Sequence, residues 1–323
     1  MNSAEQHLAT RRNAGVFDFS FMSLTEVEGA GACAFLEWLQ TRSLTGLEAG
    51  RIVYTLLLND DASVFIDATL WKHADGKWWL FTGRRSDYCA FRAKSERFDV
   101  HIRDRSGEFT ILALQGPASG LMLATLVGET FVRDLHYFRF GGALIGGVPS
   151  IVGRLGYSGE LGYEVLLPAT HAAATRTALL ELGAAACEFD AADSLRIESG
   201  YGLFDREITG SENPLELRLN RLVDLDGRDF RGGKSFVALR RMPPEMALAG
   251  LEIVDRPASS SLPLARATSR CDSPILRRRI ALGFAPSDLT IGSWVRLTDG
   301  RVARTARLPF YDPPRKLPRS RPL

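Results

Sequence analysis

The chain has 323 residues, 45% of them hydrophobic and 24% charged. That composition excludes a disordered chain and fits a folded protein of about two domains. Forty basic residues face 38 acidic ones, for a net charge of +2, so neither a global nucleic-acid footprint nor, with no apolar run near the roughly 20 residues a bilayer span needs, a membrane protein is expected.

Ser3 and Gln6 suit a capping box heading a short helix to about Arg12. Behind Gly29-Ala30-Gly31, the residues Ala32, Phe35, Leu36 and Leu39 recur at helical spacing. IVYTLLL, the turn residues NDDAS and VFIDATLW read as a hairpin, and HADGK turns the chain again into WWLFT. A helix is expected near Ser86 to Ser95, and FDVHIRD, SGE and FTILALQG read as a second hairpin. Pro117 suits the first position of a helix over ASGLMLATLVG. Residues 137–152 look extended, with Gly141-Gly142 and Gly146-Gly147 at turns, and YEVLLP is a strand. THAAATRTALLELG and AADSLRIESG read as helices closed by Gly183 and Gly200. Because the strands come as hairpins, the class is α+β and not a doubly wound parallel sheet. After Arg241 the character changes. Met242-Pro243-Pro244 is a linker, followed by the strand-like runs LAGLEIV, RIALGFA, SWVRL and RVARTARL, which suit a small β-barrel or sandwich. The expected domains are 1–241 and 242–323.

Several short motifs fail on context. Gly29-Ala30-Gly31-Ala32-Cys33-Ala34 matches a dinucleotide fingerprint, but the preceding Leu24 to Glu28 is too polar for the buried strand that fingerprint requires. Gly233-Lys234-Ser235 ends like a phosphate loop, yet Arg228 stands where the loop needs glycine. Ser158 lies outside any G-x-S-x-G elbow. The four cysteines and five histidines show no metal-ligand spacing, so no metal is expected, and the separated cysteines and the absence of an apolar signal core at the polar N-terminus point to the cytoplasm.

Other stretches hold together. In order and spacing, HLATR (His7 to Arg11), GVFDFS (Gly15 to Ser20), YTLLLN from Tyr54 with Asp67 beyond it, LQGP (Leu114 to Pro117), GYSGELGYE (Gly156 to Glu164) and DSLRIESG (Asp193 to Gly200), with SPIL, RIALG and LPF toward the C-terminus, resemble the tetrahydrofolate-dependent aminomethyltransferases, the T-protein of the glycine cleavage system and its relatives. The resemblance covers almost the whole chain. It implies two intertwined, ferredoxin-like α/β units that bind folate, a C-terminal β-barrel and a three-lobed ring. It implies tetrahydrofolate as the cofactor and a small methylated or aminomethyl donor, free or carrier-bound, as the partner.

By the same resemblance, Glu164 holds the pterin, whose exocyclic amine and ring N–H present two adjacent donors to one carboxylate. Asp67 acts on the one-carbon chemistry, where an anion stabilises a developing cation or takes up a proton. Tyr54 and Tyr157 pack near the folate. Taken alone, Glu164 also reads as a strand-end acid, Asp67 as an edge residue and Tyr54 as core.

Departures from the family pattern accompany these matches. Ile66 replaces the first of two adjacent acids, and Ala192 replaces an arginine expected to help hold the folate, so restoring arginine there is expected to tighten binding. The family asparagine after WWLF is replaced around Thr82 to Arg85, where Arg84 and Arg85 either face a donor carboxylate or form a solvated turn. Family members carry further residues ahead of the H-x-A-x-R motif, so a strand or edge is expected to be missing, and the segment Leu251 to Ala267 is shorter than usual. The motif KGCYTGQ of the non-transferase iron–sulfur-assembly branch is absent, which favours a transferase or demethylase. A degenerate, non-catalytic folate-binding protein of the same fold is the alternative, and a nicotinamide enzyme using Gly29 and Gly31 is a third class.

Overall fold

The computed structural model describes residues 1–254, 256 and 259–323. Asp255, Pro257 and Ala258, within the segment expected to be short, lie outside the described residues. The chain opens with helix α1 (Ser3–Arg12), strands β1 (Gly15–Asp18) and β2 (Ser23–Glu28) and helix α2 (Ala32–Leu39). Strands β3 (Ile52–Leu58), β4 (Val64–Ala74) and β5 (Lys77–Thr82), helix α3 (Asp87–Ser95) and strands β6 (His101–Asp104) and β7 (Phe109–Gln115) follow. Helices α4 (Ser119–Val127) and α5 (Glu129–Asp134) lead to β8 (Phe140–Ile145), β9 (Val148–Gly153) and β10 (Gly162–Pro168). Then come α6 (Ala172–Glu181), β11 (Ala185–Cys187), α7 (Phe189–Glu198) and α8 (Gly233–Leu239). The last strands are β12 (Met246–Val254), β13 (Leu264–Ser273), β14 (Arg278–Pro286), β15 (Trp294–Leu297) and β16 (Val302–Ala306). Among the described residues, no helix is long and apolar enough to cross a membrane.

The first half of the chain interleaves two sheets. β1 enters a six-stranded sheet of order β11-β1-β7-β10-β9-β8; β2 to β6 then build a five-stranded sheet of order β3-β4-β5-β2-β6 before β7 returns to the first. Within these two sheets the neighbours are antiparallel except β1 and β11. The sheets face each other through an apolar cluster that takes Phe17, Trp71, Phe81, Ile111 and Leu166 from the strands and Ala191, Ala192 and Leu195 from α7. Behind the first sheet, Met122, Leu123 and Leu179 of α4 and α6 cover one outer face. Behind the second, Ala32, Phe35, Leu36 and Leu39 of α2 cover the other, as their helical spacing predicts. Strands β12 to β16 form a closed barrel of order β12-β14-β13-β15-β16, with β16 pairing back onto β12 and Leu251, Ala281, Val295 and Leu297 inside.

Four expectations are corrected. The capping box sits one residue ahead of Ser3 and Gln6. Asn2 accepts the Glu5 N–H at 2.9 Å and Glu5 accepts the Asn2 N–H at 2.9 Å, while the Gln6 amide reaches Met1 and Glu188. Helix α4 begins after Ala118, so Pro117 precedes it rather than opening it. β6 and β7 are not a hairpin: β6 pairs only β2, while β7 lies between β1 and β10. The intervening residues look like a turn because Asp104 caps the Ser106 N–H at 2.9 Å and Arg105 pairs with Glu108 at 2.6 Å. Burial separates the strands, since β7 is sealed from Ile111 onward while β6 buries only Ile102 and takes a sheet edge. Finally, Gly146-Gly147 forms the turn before β9, but Gly141-Gly142 lies inside the edge strand β8.

Candidate active site

Strand alternation aims the two acids into one space. Along β4, Ile66, Ala68 and Leu70 face the α2 side, so Asp67, Thr69 and Trp71 face the gap between the sheets. Along β10, Tyr163, Val165 and Leu167 face α4 and α6, so Glu164 and Leu166 face the same gap. The same alternation shows what Ile66 means. It is fully buried in an apolar cluster on the opposite face of β4 from Asp67.

The gap opens into a cavity of about 160 Å³, lined by Tyr54, Asp67, Tyr157 and Glu164 together with Phe19, Phe21, Met22, Phe81, Phe138, Leu155, Phe189 and Phe204. All four residues singled out from the sequence therefore share one cavity. The aromatic and aliphatic wall was not anticipated, because an apolar residue that lines a cavity and one that fills a core carry the same sequence signal. Phe21 and Phe189 meet edge to face at 5.6 Å, and each is about 40% exposed.

The two carboxylates differ in environment. Glu164 is buried and has no hydrogen-bond or ion-pair partner among the described residues, and burial alone raises its pKa to about 7. Asp67 is half-buried and accepts a hydrogen bond from Tyr54 Oη at 3.0 Å. Burial pushes its carboxyl above the ordinary range, while the Tyr54 hydroxyl pulls it down. Burial and then the Asp67 charge hold the Tyr54 hydroxyl well above the usual tyrosine range. Tyr157 donates to the Gly202 carbonyl at 2.6 Å and stacks on Tyr201 with centroids 6.0 Å apart.

The loop carrying Glu164 is built around a glutamine. A Cβ on Gly156 or Gly162 would lie 1.9 Å or 2.3 Å from Gln115 Oε1, so a side chain at either position would displace that amide. Ser158 Oγ donates to the same oxygen at 2.8 Å. Beneath the loop lies a buried ionic knot. Arg11 binds Glu160 at 2.9 Å, Glu198 at 2.9 Å and the Ser158 carbonyl at 2.9 Å, with the Tyr311 ring 4.2 Å from its guanidinium. His7 Nε2 lies 3.1 Å from Glu198, and Ser273 of β13 donates to the same carboxylate. A second knot joins Arg196 to Glu207 at 2.7 Å and to Asp193 at 2.6 Å, and Arg196 also donates to the Tyr201 carbonyl at 3.1 Å. The stretches HLATR and DSLRIESG carry His7, Arg11, Asp193, Arg196 and Glu198, GYSGELGYE carries Glu160, and Glu207 lies outside the motifs. Their order is visible in the sequence; their burial together is not.

Two departures gain a physical meaning here. Ala192 is 3% exposed and packed in the inter-sheet cluster, so the expected gain from arginine at this position is corrected: a guanidinium has no room there. Arg84 pairs with Asp87 at 3.2 Å and Asp205 at 3.4 Å, so its guanidinium is engaged within the protein, while Arg85 is exposed and donates one N–H to the Ser20 carbonyl at 2.6 Å.

Residues 1–227 match the family described as the GCVT N-terminal domain. The aminomethyltransferase of Symbiobacterium thermophilum is 32% identical over 97% of this chain and 90% of its own length. That of Thermus thermophilus is 32% identical over 87% of this chain and 82% of its own. The crystal structure of the glycine cleavage system aminomethyltransferase T from Bartonella henselae superposes with a TM-score of 0.85 at 26% identity, covering 96% of this chain and 90% of that one. The chain therefore belongs to the GCVT family and is a folate-dependent one-carbon transferase of the aminomethyltransferase kind.

Proposed function

We propose that tetrahydrofolate binds in the inter-sheet cavity with its pterin on Glu164, and that Asp67 acts on the one-carbon unit passing to the folate. The observation that carries this reading is Glu164 itself. A buried carboxylate without any donor is costly unless a ligand supplies the donors. The pterin's exocyclic amine and ring N–H are a matched pair for it, and the apolar wall suits the faces of an aromatic ligand. Tyr54 sets the direction of the Asp67 carboxylate through its hydroxyl, and Tyr157 flanks the pterin side with its own hydroxyl anchored on Gly202. Asp67, kept anionic beside N5 of the folate, stabilises positive charge on the carbon in transfer or accepts the proton that N5 loses.

The donor in this proposal is a small methylated or aminomethyl compound, free or presented on a carrier. Residues 1–241 form the folate-binding domain of two intertwined ferredoxin-like units and residues 242–323 the barrel domain, arranged as the three-lobed ring of the family. Titration calorimetry with tetrahydrofolate, comparing the wild type with Glu164→Gln, tests the reading. Glutamine keeps the shape but replaces one acceptor by a donor facing a donor, so affinity should fall by roughly 2 kcal/mol or more. Equal affinities would overturn it.

A further inference from the structure

Gly83 lies one step past the Ala68–Thr82 pair of the β4–β5 ladder, where the register sets it across from Asp67. Residues directly opposite in an antiparallel pair share a face, so a side chain at position 83 would stand beside the Asp67 carboxylate. The Phe204 ring fills that space instead. A Cβ on Gly83 would lie 2.2 Å from Phe204 Cε1 and 2.3 Å from Cδ1. The segment bearing Phe204 is anchored from both sides. Phe204 bridges to Ile208, the Leu203 N–H donates to Glu207 at 3.0 Å, and Asp205 pairs with Arg84 next to Gly83 at 3.4 Å. Gly83, Phe204 and Asp67 all line the same cavity.

We infer that Phe204, seated on Gly83 beside Asp67, is the specificity residue of the donor compartment. Its ring occupies the space into which a donor's substituents would extend beyond the carbon being transferred, so compact donors are accepted and bulkier ones are excluded. This rests on the reading of Asp67 as the residue at the one-carbon centre. A close-packed aromatic wall yields little, and excluding a substituent of a few methylenes is worth one to two orders of magnitude in kcat/KM.

The test uses tetrahydrofolate and a graded panel in which N-methylglycine and aminomethyl dihydrolipoamide, with its slim aliphatic arm, are the compact members and N-methylated amino acids of increasing side-chain size the bulky ones. The wild type should use the compact members. Phe204→Ala should raise kcat/KM for bulky members relative to compact ones by at least tenfold, with Phe204→Leu intermediate and available should alanine fail to fold. Thermal unfolding supplies a readout independent of any donor: Gly83→Ala should cost several degrees in the wild type and little in the Phe204→Ala background, a coupling expected only if the two residues share the space. An unchanged donor profile in both Phe204 variants overturns the filter, as does an equal cost of Gly83→Ala in both backgrounds. If the wild type binds no tetrahydrofolate, the functional reading falls and the filter with it. If it binds folate but uses no compact donor, the filter alone falls.

Discussion

The ionic knot under the loop and the cavity above it treat buried acid in opposite ways. Glu198, fully buried, is met by Arg11, by His7 at 3.1 Å and by the Ser273 hydroxyl; burial opposes its ionisation, but these partners win and hold its carboxyl below the ordinary range. Glu164, just across the loop, has none and rises to about 7. The knot's acids are spent within the protein and can only hold it together. An acid left unpaired at the wall of a cavity lowers stability, and that cost is offset when a ligand supplies the donors. Burial of charge alone therefore does not mark a site; burial without a partner does.

The sharpest way to break the contrast is to remove the knot's cation. Arg11→Met leaves Glu160 and Glu198 buried without their guanidinium, and the loss should be about 3–5 kcal/mol, the range for orphaning buried charges. Denaturant unfolding measures it; a loss below 1 kcal/mol would mean that the knot does not hold the loop. Ala192→Arg does the converse, forcing a cation into the inter-sheet apolar cluster. Overpacking and an unpaired charge together should cost about 3 kcal/mol, and tetrahydrofolate affinity should not improve.

Glu164→Gln reverses the usual sign of an active-site substitution. Glu164 has its pKa raised from 4.5 to about 7 in the folded protein, so between those values the folded state holds more protons than the unfolded one. Its burden on stability is absent below about pH 4.5, grows as pH rises and is complete above about pH 7. The ligand-free Gln variant should then be more stable than the wild type by about 2–3 kcal/mol at pH 8 and equal to it near pH 4.5. His73, packed between Trp79 and Phe140 and lowered from 6.5 to about 4 by burial first, loads the opposite limb, costing stability as pH falls from 6.5 toward 4. Because His73 is common to both proteins, the difference between their unfolding curves isolates Glu164. A flat difference across pH 4.5 to 8 would show that Glu164 has found a partner in solution.

Much of this arrangement is legible in the residues, but unevenly. Strand alternation around Asp67 and the helical spacing of Ala32, Phe35, Leu36 and Leu39 are local properties, so the sequence carries them. Ordered motifs place Glu164 and Asp67 in one family pattern, and both line one cavity. What fails is whatever depends on a distant partner. β6 and β7 look like a hairpin because their linking residues have turn chemistry, and only the edge and central places they take in two different sheets separate them. Ala192 reads as a lost cation because the family pattern carries arginine at that place, while its neighbours in space are Leu195 and the inter-sheet apolar cluster. The three-residue strand β11, too short to carry a period, leaves no signal at all.

The smallest change in fold, and the one that separates the two cavity acids from each other, is at Asp67. Asp67→Asn keeps the shape and the contact with the Tyr54 hydroxyl at 3.0 Å, so stability should move by less than about 1 kcal/mol. If Asp67 acts as an anion during transfer, kcat should nevertheless fall by roughly a hundredfold or more while tetrahydrofolate affinity holds, the pattern of an interaction made in the transition state. Tyr54→Phe tests the same carboxylate more gently. Burial raises the Asp67 carboxyl and the Tyr54 hydrogen bond pulls it back, so removing the hydroxyl should move the acid limb of the kcat profile to higher pH while the plateau rate survives at alkaline pH. A profile unmoved by Tyr54→Phe, beside an Asn variant that turns over at the wild-type rate, would remove Asp67 from the chemistry and leave Glu164 as the only acid in the cavity with a role.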